Sequence, residues 1–210
     1  MIDMIKFPSH RSALRVLFCL TGFFLVFPGF ARGQILYVDQ EVEVHNLPAL
    51  VAHSHDPVEI LLTALDTVLH DHDVCCGKDS ALEDSLEGVD PQSLKDVASR
   101  LQGRHLLSDG RPIKVTAEYL TSADISSGHM ITTIANQHAA IMKLYSHLYV
   151  VHGLAYFWQS DGNGGVYMQL HKLFLSDPRY SDSRREMTFT IGTDDLSKVE
   201  AVLFVESKPE

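Results

Sequence analysis

The stretch Leu148-Tyr149-Val150-Val151-His152-Gly153-Leu154-Ala155-Tyr156-Phe157-Trp158, followed by Ser160-Asp161-Gly162-Asn163-Gly164-Gly165 and then by Val166 to Leu175, decides the fold. Two runs rich in β-branched and aromatic residues flank a cluster that supplies the positive φ angles of a hairpin loop. The reading is a long antiparallel hairpin near 148–175. Its first arm is apolar at successive positions, so that strand is either buried on both sides or shows an apolar patch. Tyr149, Tyr156, Phe157, Trp158, Tyr167 and Phe174 crowd the two arms.

Downstream, Asp177-Pro178 turns the chain, Met187, Phe189 and Ile191 alternate with Glu186, Thr188 and Thr190 as a further strand, and Ala201 to Val205 makes the last one. Upstream, Ile113, Val115, Ala117 and Tyr119 alternate with Lys114, Thr116 and Glu118 in a strand with one wet face. Between Met130 and Tyr145, the residues Ile131, Ile134, Ala135, Ile141, Met142 and Tyr145 fall on one stripe and predict a helix, with His138 in the middle of that stripe.

Two earlier helices carry start signals. Asp56 can cap the first, Pro57 suits its first position, and Glu59 can bond back to the cap. Val58, Leu61, Leu62, Leu65, Val68 and Leu69 form its apolar stripe. Asp90 and Pro91 repeat that start for the second, with Leu94, Val97, Ala98 and Leu101 on one face and Gly103 as its stop. A strand over Ile35 to Val44 precedes them, marked by the alternation Glu41-Val42-Glu43-Val44. Helices early and strands late predict a single α+β domain, an antiparallel sheet of about five strands covered on one face by about three helices.

Before that domain, Lys6, Arg11 and Arg15 precede a run from Val16 to Phe27 that is apolar apart from Thr21 and Gly22. This is the order of a secretory signal peptide, and Pro28 ends the run short of the ~20 apolar residues of a bilayer span. Small residues place cleavage after Ala31 or Gly33, so residues 1–33 are read as signal peptide and 34–210 as the domain, with no stable membrane anchor left. Localisation is therefore expected to be periplasmic or secreted.

Taking Lys6, Arg11, Arg15 and Arg32 from 17 basic residues, and Asp3 from 27 acidic ones, leaves 13 and 26, a formal charge of −13. Such a field repels phosphate backbones and anionic headgroups, which argues against nucleic-acid and membrane-surface partners. The mature chain is also histidine-rich, with 11 of the 12 histidines remaining after His10 is lost. Histidine titrates near pH ~6.5. Mild acid would cancel part of the negative charge, and a pH-dependent partner or oligomer would follow if these residues do more than titrate at the surface.

The densest reactive cluster is His70-Asp71-His72-Asp73-Val74-Cys75-Cys76. Imidazole and thiolate suit zinc or copper, which makes His70, His72, Cys75 and Cys76 a candidate metal or redox set, although adjacent cysteines place both sulfurs poorly on one tetrahedron. With Cys19 removed, Cys75 and Cys76 are the only thiols. In an oxidising compartment they join in a strained vicinal disulfide, pair with a second chain, or stay buried and reduced. Arg179, Arg184 and Arg185 form the one concentration of positive charge, a candidate contact for an anion or for a partner's carboxylates unless paired with Asp182 within a solvated turn.

Familiar catalytic signatures fail on spacing. Gly77-Lys78-Asp79-Ser80 lacks the earlier glycine of a phosphate loop, since His72 stands in its place. Asp161-Gly162-Asn163-Gly164-Gly165 has Lys172 where a calcium loop needs its bidentate glutamate. Ser54-His55-Asp56 is contiguous, whereas a triad converges from distant parts of a fold. His152 and His171 share a face only in one hairpin register. The expected function is a non-catalytic domain that binds a small ligand or a partner protein through its sheet. The alternative is an exported metal-dependent or thiol enzyme centred on His70, His72, Cys75 and Cys76.

Overall fold

The computed structural model describes residues 36–45, 47, 55–69, 80–160, 166–180, 184–188 and 198–210. They form one α+β unit in the order β1 (Leu36–Glu43), α1 (Pro57–Leu69), α2 (Ser80–Ser85), α3 (Leu94–Leu101), β2 (Gly103–Leu106), β3 (Pro112–Thr121), α4 (Ser127–Ala135), β4 (Ala140–Leu144), β5 (His147–Ser160), β6 (Val166–Ser176), β7 (Arg184–Thr188) and β8 (Val199–Pro209). Among the described residues the sheet is antiparallel throughout and has eight strands, more than the five expected, in the order β2-β3-β8-β4-β5-β6-β7 with β1 beside β5.

The largest departure from the sequence reading lies between Met130 and Tyr145. The helix predicted there stops at Ala135. Gln137 takes φ 67°, the left-handed conformation that ends helices, and Ala140–Leu144 becomes β4. Ala140, Ile141, Met142 and Leu144 are all buried, because β4 lies between β5 and β8 with both of its faces covered. A short apolar run of that kind fits a buried strand and a helix stripe equally well. His138 consequently sits in the connection, with Nε2 3.8 Å from Glu206 Oε1, and not on an apolar helix face.

The helix starts agree more closely. Asp56 Oδ1 accepts from Val58 N at 2.9 Å ahead of α1. Val58 itself is exposed, and Ile60 takes its place on the inward stripe with Leu61, Leu65, Val68 and Leu69. At α3 the cap is Ser93 in place of Asp90. Ser93 Oγ donates to Asp96 Oδ2 at 2.7 Å while accepting from Asp96 N, and Asp90 forms the preceding turn by accepting from Gln92 N at 2.9 Å.

Helices cover both faces, where the sequence reading put them on one. Register places Ile113 and Val115 on the same face as Leu203, Val205, Ile141 and Lys143. There α3 packs over β3 and β8, and α1 over β5, β8 and β4. Lys143 Nζ, on this face, donates to the Gln92 carbonyl just ahead of α3 at 3.0 Å. On the opposite face, Glu118 and Phe204 are cross-strand neighbours, and both meet His129 of α4. From there α4 runs over β1, β5 and β6, burying Met130, Ile131 and Ile134.

Candidate binding surface

The long hairpin is the frame of the candidate site. Strand β6 follows β5 along one edge from Val150 to Ser160. On the other edge β5 has two successive partners, β4 over His147–Val151 and β1 over Gly153–Ser160. At the change of partner, His152 and Gly153 stand opposite Phe174 alone, a bulge that re-aims the strand. Phe174 folds back over the gap. A Cβ on Gly153 would lie 2.6 Å from Phe174 Cδ2 and 2.9 Å from Glu43 Cγ, so only glycine admits this packing.

Beyond the bulge, β1, β5 and β6 form a three-stranded tip. The two alternatives read from the apolar first arm are both realised: Leu148 to Tyr156 is buried throughout, whereas Phe157, Trp158, Gln159 and Ser160 are half-buried. Val38, Trp158 and Met168 are cross-strand neighbours and make one apolar row across the tip. Met168 is 40% exposed, and Val166 and Tyr167 beside it are 51% and 62% exposed. Trp158 is the single tryptophan of the chain. Of the hairpin aromatics, Tyr149, Tyr156 and Phe174 are core, so only the tip residues Phe157, Trp158 and Tyr167 are left to meet a ligand.

The opposite face of the tip is charged. Register puts Asp39, Glu41 and Glu43 on one side of β1, beside Phe157, Ala155 and Gly153. His171 stacks on Phe157 with ring centroids 4.3 Å apart and reaches across it to Asp39 Oδ1 at 2.8 Å. Tyr156, on the apolar side, donates its hydroxyl to Gln40 Oε1 at 2.6 Å, and burial pushes its phenol above the ordinary value.

His152 and His171 occupy separate bulges. His152 is buried against Phe174 at 6.5 Å between ring centroids, whereas His171 sits near the tip with Asp39. The hairpin register therefore brings no paired imidazoles together.

Arg179 is turned inward. Its Nε donates to Asp177 Oδ1 at 2.8 Å, and its Nη2 donates to Oδ2 of the same carboxylate. Burial opposes ionisation of Asp177, but the hydrogen bonds and charge of Arg179 outweigh it and hold the carboxyl below the ordinary range. The hydrogen bond to Asp177 in turn raises Arg179 above its ordinary value. His70, His72, Cys75 and Cys76 lie outside the described residues, as do the side chains of Arg184 and Arg185 on β7. The signal-peptide segment and the hairpin loop at 161–165 lie outside them too.

Among the described residues no three His, Cys, Asp or Glu side chains are grouped to hold a metal, and no helix is long and apolar enough to cross a membrane. A cleft of about 350 Å³ lies between α1 and the segment that begins at α2, with Leu61, Leu62 and Leu86 among its apolar walls and Glu83 and Glu87 among its acidic ones.

Sequence reasoning had the hairpin and its aromatics but not the acidic side of β1 as part of the same surface. The period-two alternation of Glu41-Val42-Glu43-Val44 was the available sign. Comparison with protein-family models, with curated proteins and with solved structures finds no match.

Proposed function

We propose that this is an exported, non-catalytic binding domain that engages a partner protein through the β1–β5–β6 tip. The observation that carries the reading is the apolar row Val38, Trp158 and Met168, in which Trp158 packs partly against the core and the row continues into exposed Met168 and Val166. Exposed large apolar side chains that adjoin one another mark interaction surfaces, and aromatic anchors dominate their energetics. The signal-peptide order of residues 1–33 supports export to a periplasm or beyond.

A photo-crosslinking amino acid at Val166, exposed on the same face as Trp158 and Met168, introduced in the native host, tests the reading. The expected result is one adduct of defined mass that is lost when Trp158→Ala removes the anchor. Truncating such an anchor costs on the order of 2 kcal/mol, or about thirty-fold in affinity. An adduct indifferent to Trp158, or adducts that form only from a probe at Val58 beside the α1–α2 cleft, would place binding elsewhere.

The thiol or metal enzyme is separated from this reading by counting free thiols and bound zinc and copper in the protein from its native host. One equivalent of metal that is lost on Cys75→Ser or His72→Ala would overturn the non-catalytic reading.

A further inference from the structure

The outer edge of β1 carries the inference. Val44 N donates inward to the His152 carbonyl at 2.7 Å. The next residues along the strand face the other way: Gln137 Nε2 donates to the Glu43 carbonyl at 3.2 Å, and His45 N donates to Gln137 Oε1 at 2.9 Å. Within an antiparallel strand the N–H and C=O of one residue point to the same edge, and successive residues alternate between edges. The backbone groups of Asp39 and Glu41 therefore point outward with those of Glu43. Among the described residues β1 pairs only with β5, and Asp39, Gln40 and Glu41 are exposed. The Gln137 side-chain amide thus does at Glu43 what the peptide group of a neighbouring strand would do, and among the described residues no strand pairs with the edge beyond it.

What such a strand must look like follows from the two faces of β1. Side chains directly opposite one another across a strand pair share a face. Those set opposite Asp39, Glu41 and Glu43 would lie on the carboxylate side, and the alternate ones would lie on the side of Val38, Val42 and the Trp158 row. A second copy of this chain fits poorly, because pairing two β1 edges about a two-fold axis brings their carboxylates together. Charge on an edge strand is a common device against such self-pairing.

We infer that β1 accepts an extended segment of a partner protein as an added strand, one in which basic and apolar side chains alternate. This rests on the proposed tip surface and names its partner class. Strand addition draws affinity from main-chain hydrogen bonds and specificity from alternate side chains, and β1 offers both.

The test uses the full mature protein and a synthetic nonapeptide in which lysine and valine alternate. Binding is expected to shift Trp158 emission and to slow amide exchange at Asp39 and Glu41. Three comparisons are expected to weaken it about tenfold or more: glutamate in place of each lysine, N-methylation of the peptide's edge-facing amides, and Glu41→Pro, which removes an outward N–H and leaves the β1–β5 bonds in place. Because Glu41→Pro can also perturb folding, Asp39→Lys combined with Glu41→Lys supplies a gain of function, a switch of preference to the glutamate peptide.

Equal binding of the N-methylated peptide would overturn strand addition. Equal binding of the glutamate peptide, or no switch in the double variant, would overturn the basic partner. Self-association that Glu41→Pro dissolves would make a second copy the occupant. If no peptide binds while the Val166 adduct still depends on Trp158, strand addition falls and the tip surface stands; loss of that adduct removes the surface itself.

Discussion

Gly153 shows how much one residue decides. It stands at the bulge where β5 exchanges β4 for β1, and Phe174 occupies the space of its missing Cβ. Gly153→Ala should cost about 1 to 3 kcal/mol, the usual range for overpacking a tight core. Urea denaturation checks this, and an unchanged midpoint would mean that Phe174 moves aside freely. Trp158 is the complementary case: a single half-buried side chain, packed partly against the core, that both anchors the proposed surface and reports on it by fluorescence. Its aromatic character was legible in the sequence. Its exposure was not, because Tyr156 two residues earlier has much the same chemistry and is buried.

At the scale of the element, turns and caps give the sharpest expectations. Tyr145 and Ser146 join β4 to β5 with φ of 51° and 59°, a conformation in which side-chain-bearing residues are strained. Tight two-residue hairpins of this kind favour Asn-Gly. Replacing the pair by Tyr145→Asn and Ser146→Gly should stabilise the fold by about 1 kcal/mol, read as a higher melting temperature. The β6–β7 turn behaves differently because it contains the Asp177–Arg179 pair, whose side chains are 6% and 19% exposed. The folded pKa of Asp177 lies below its unfolded value, so the contribution of the carboxylate is complete above the unfolded value and is lost as pH falls through the folded one. Asp177→Asn should lower stability at pH 7 by about 1 to 3 kcal/mol and flatten the decline in stability below pH ~4. A variant as acid-sensitive as the parent would show that other carboxylates dominate.

For the whole molecule, the proposed export makes a direct prediction: protein recovered from outside the cytoplasm should begin between Arg32 and Gln34 by N-terminal sequencing, and an intact Met1 there would overturn the cleaved signal peptide. The sequence by itself determined the α+β class, the starts of α1 and α3 to within a few residues, β3, and the long hairpin, because period, caps and turn chemistry are local properties written in neighbouring residues. It misread Ala140–Leu144 as helix, since burial on both faces erases the alternation that distinguishes a strand. Only tertiary structure decided that β1 would cross the chain to pair with the outer half of β5, that α4 would cover the second face, and that the same hairpin would be core at Tyr149, half-buried at Trp158 and exposed at Val166 and Met168. Those outcomes depend on contacts between residues about a hundred positions apart, and the residues themselves are chemically alike in both settings.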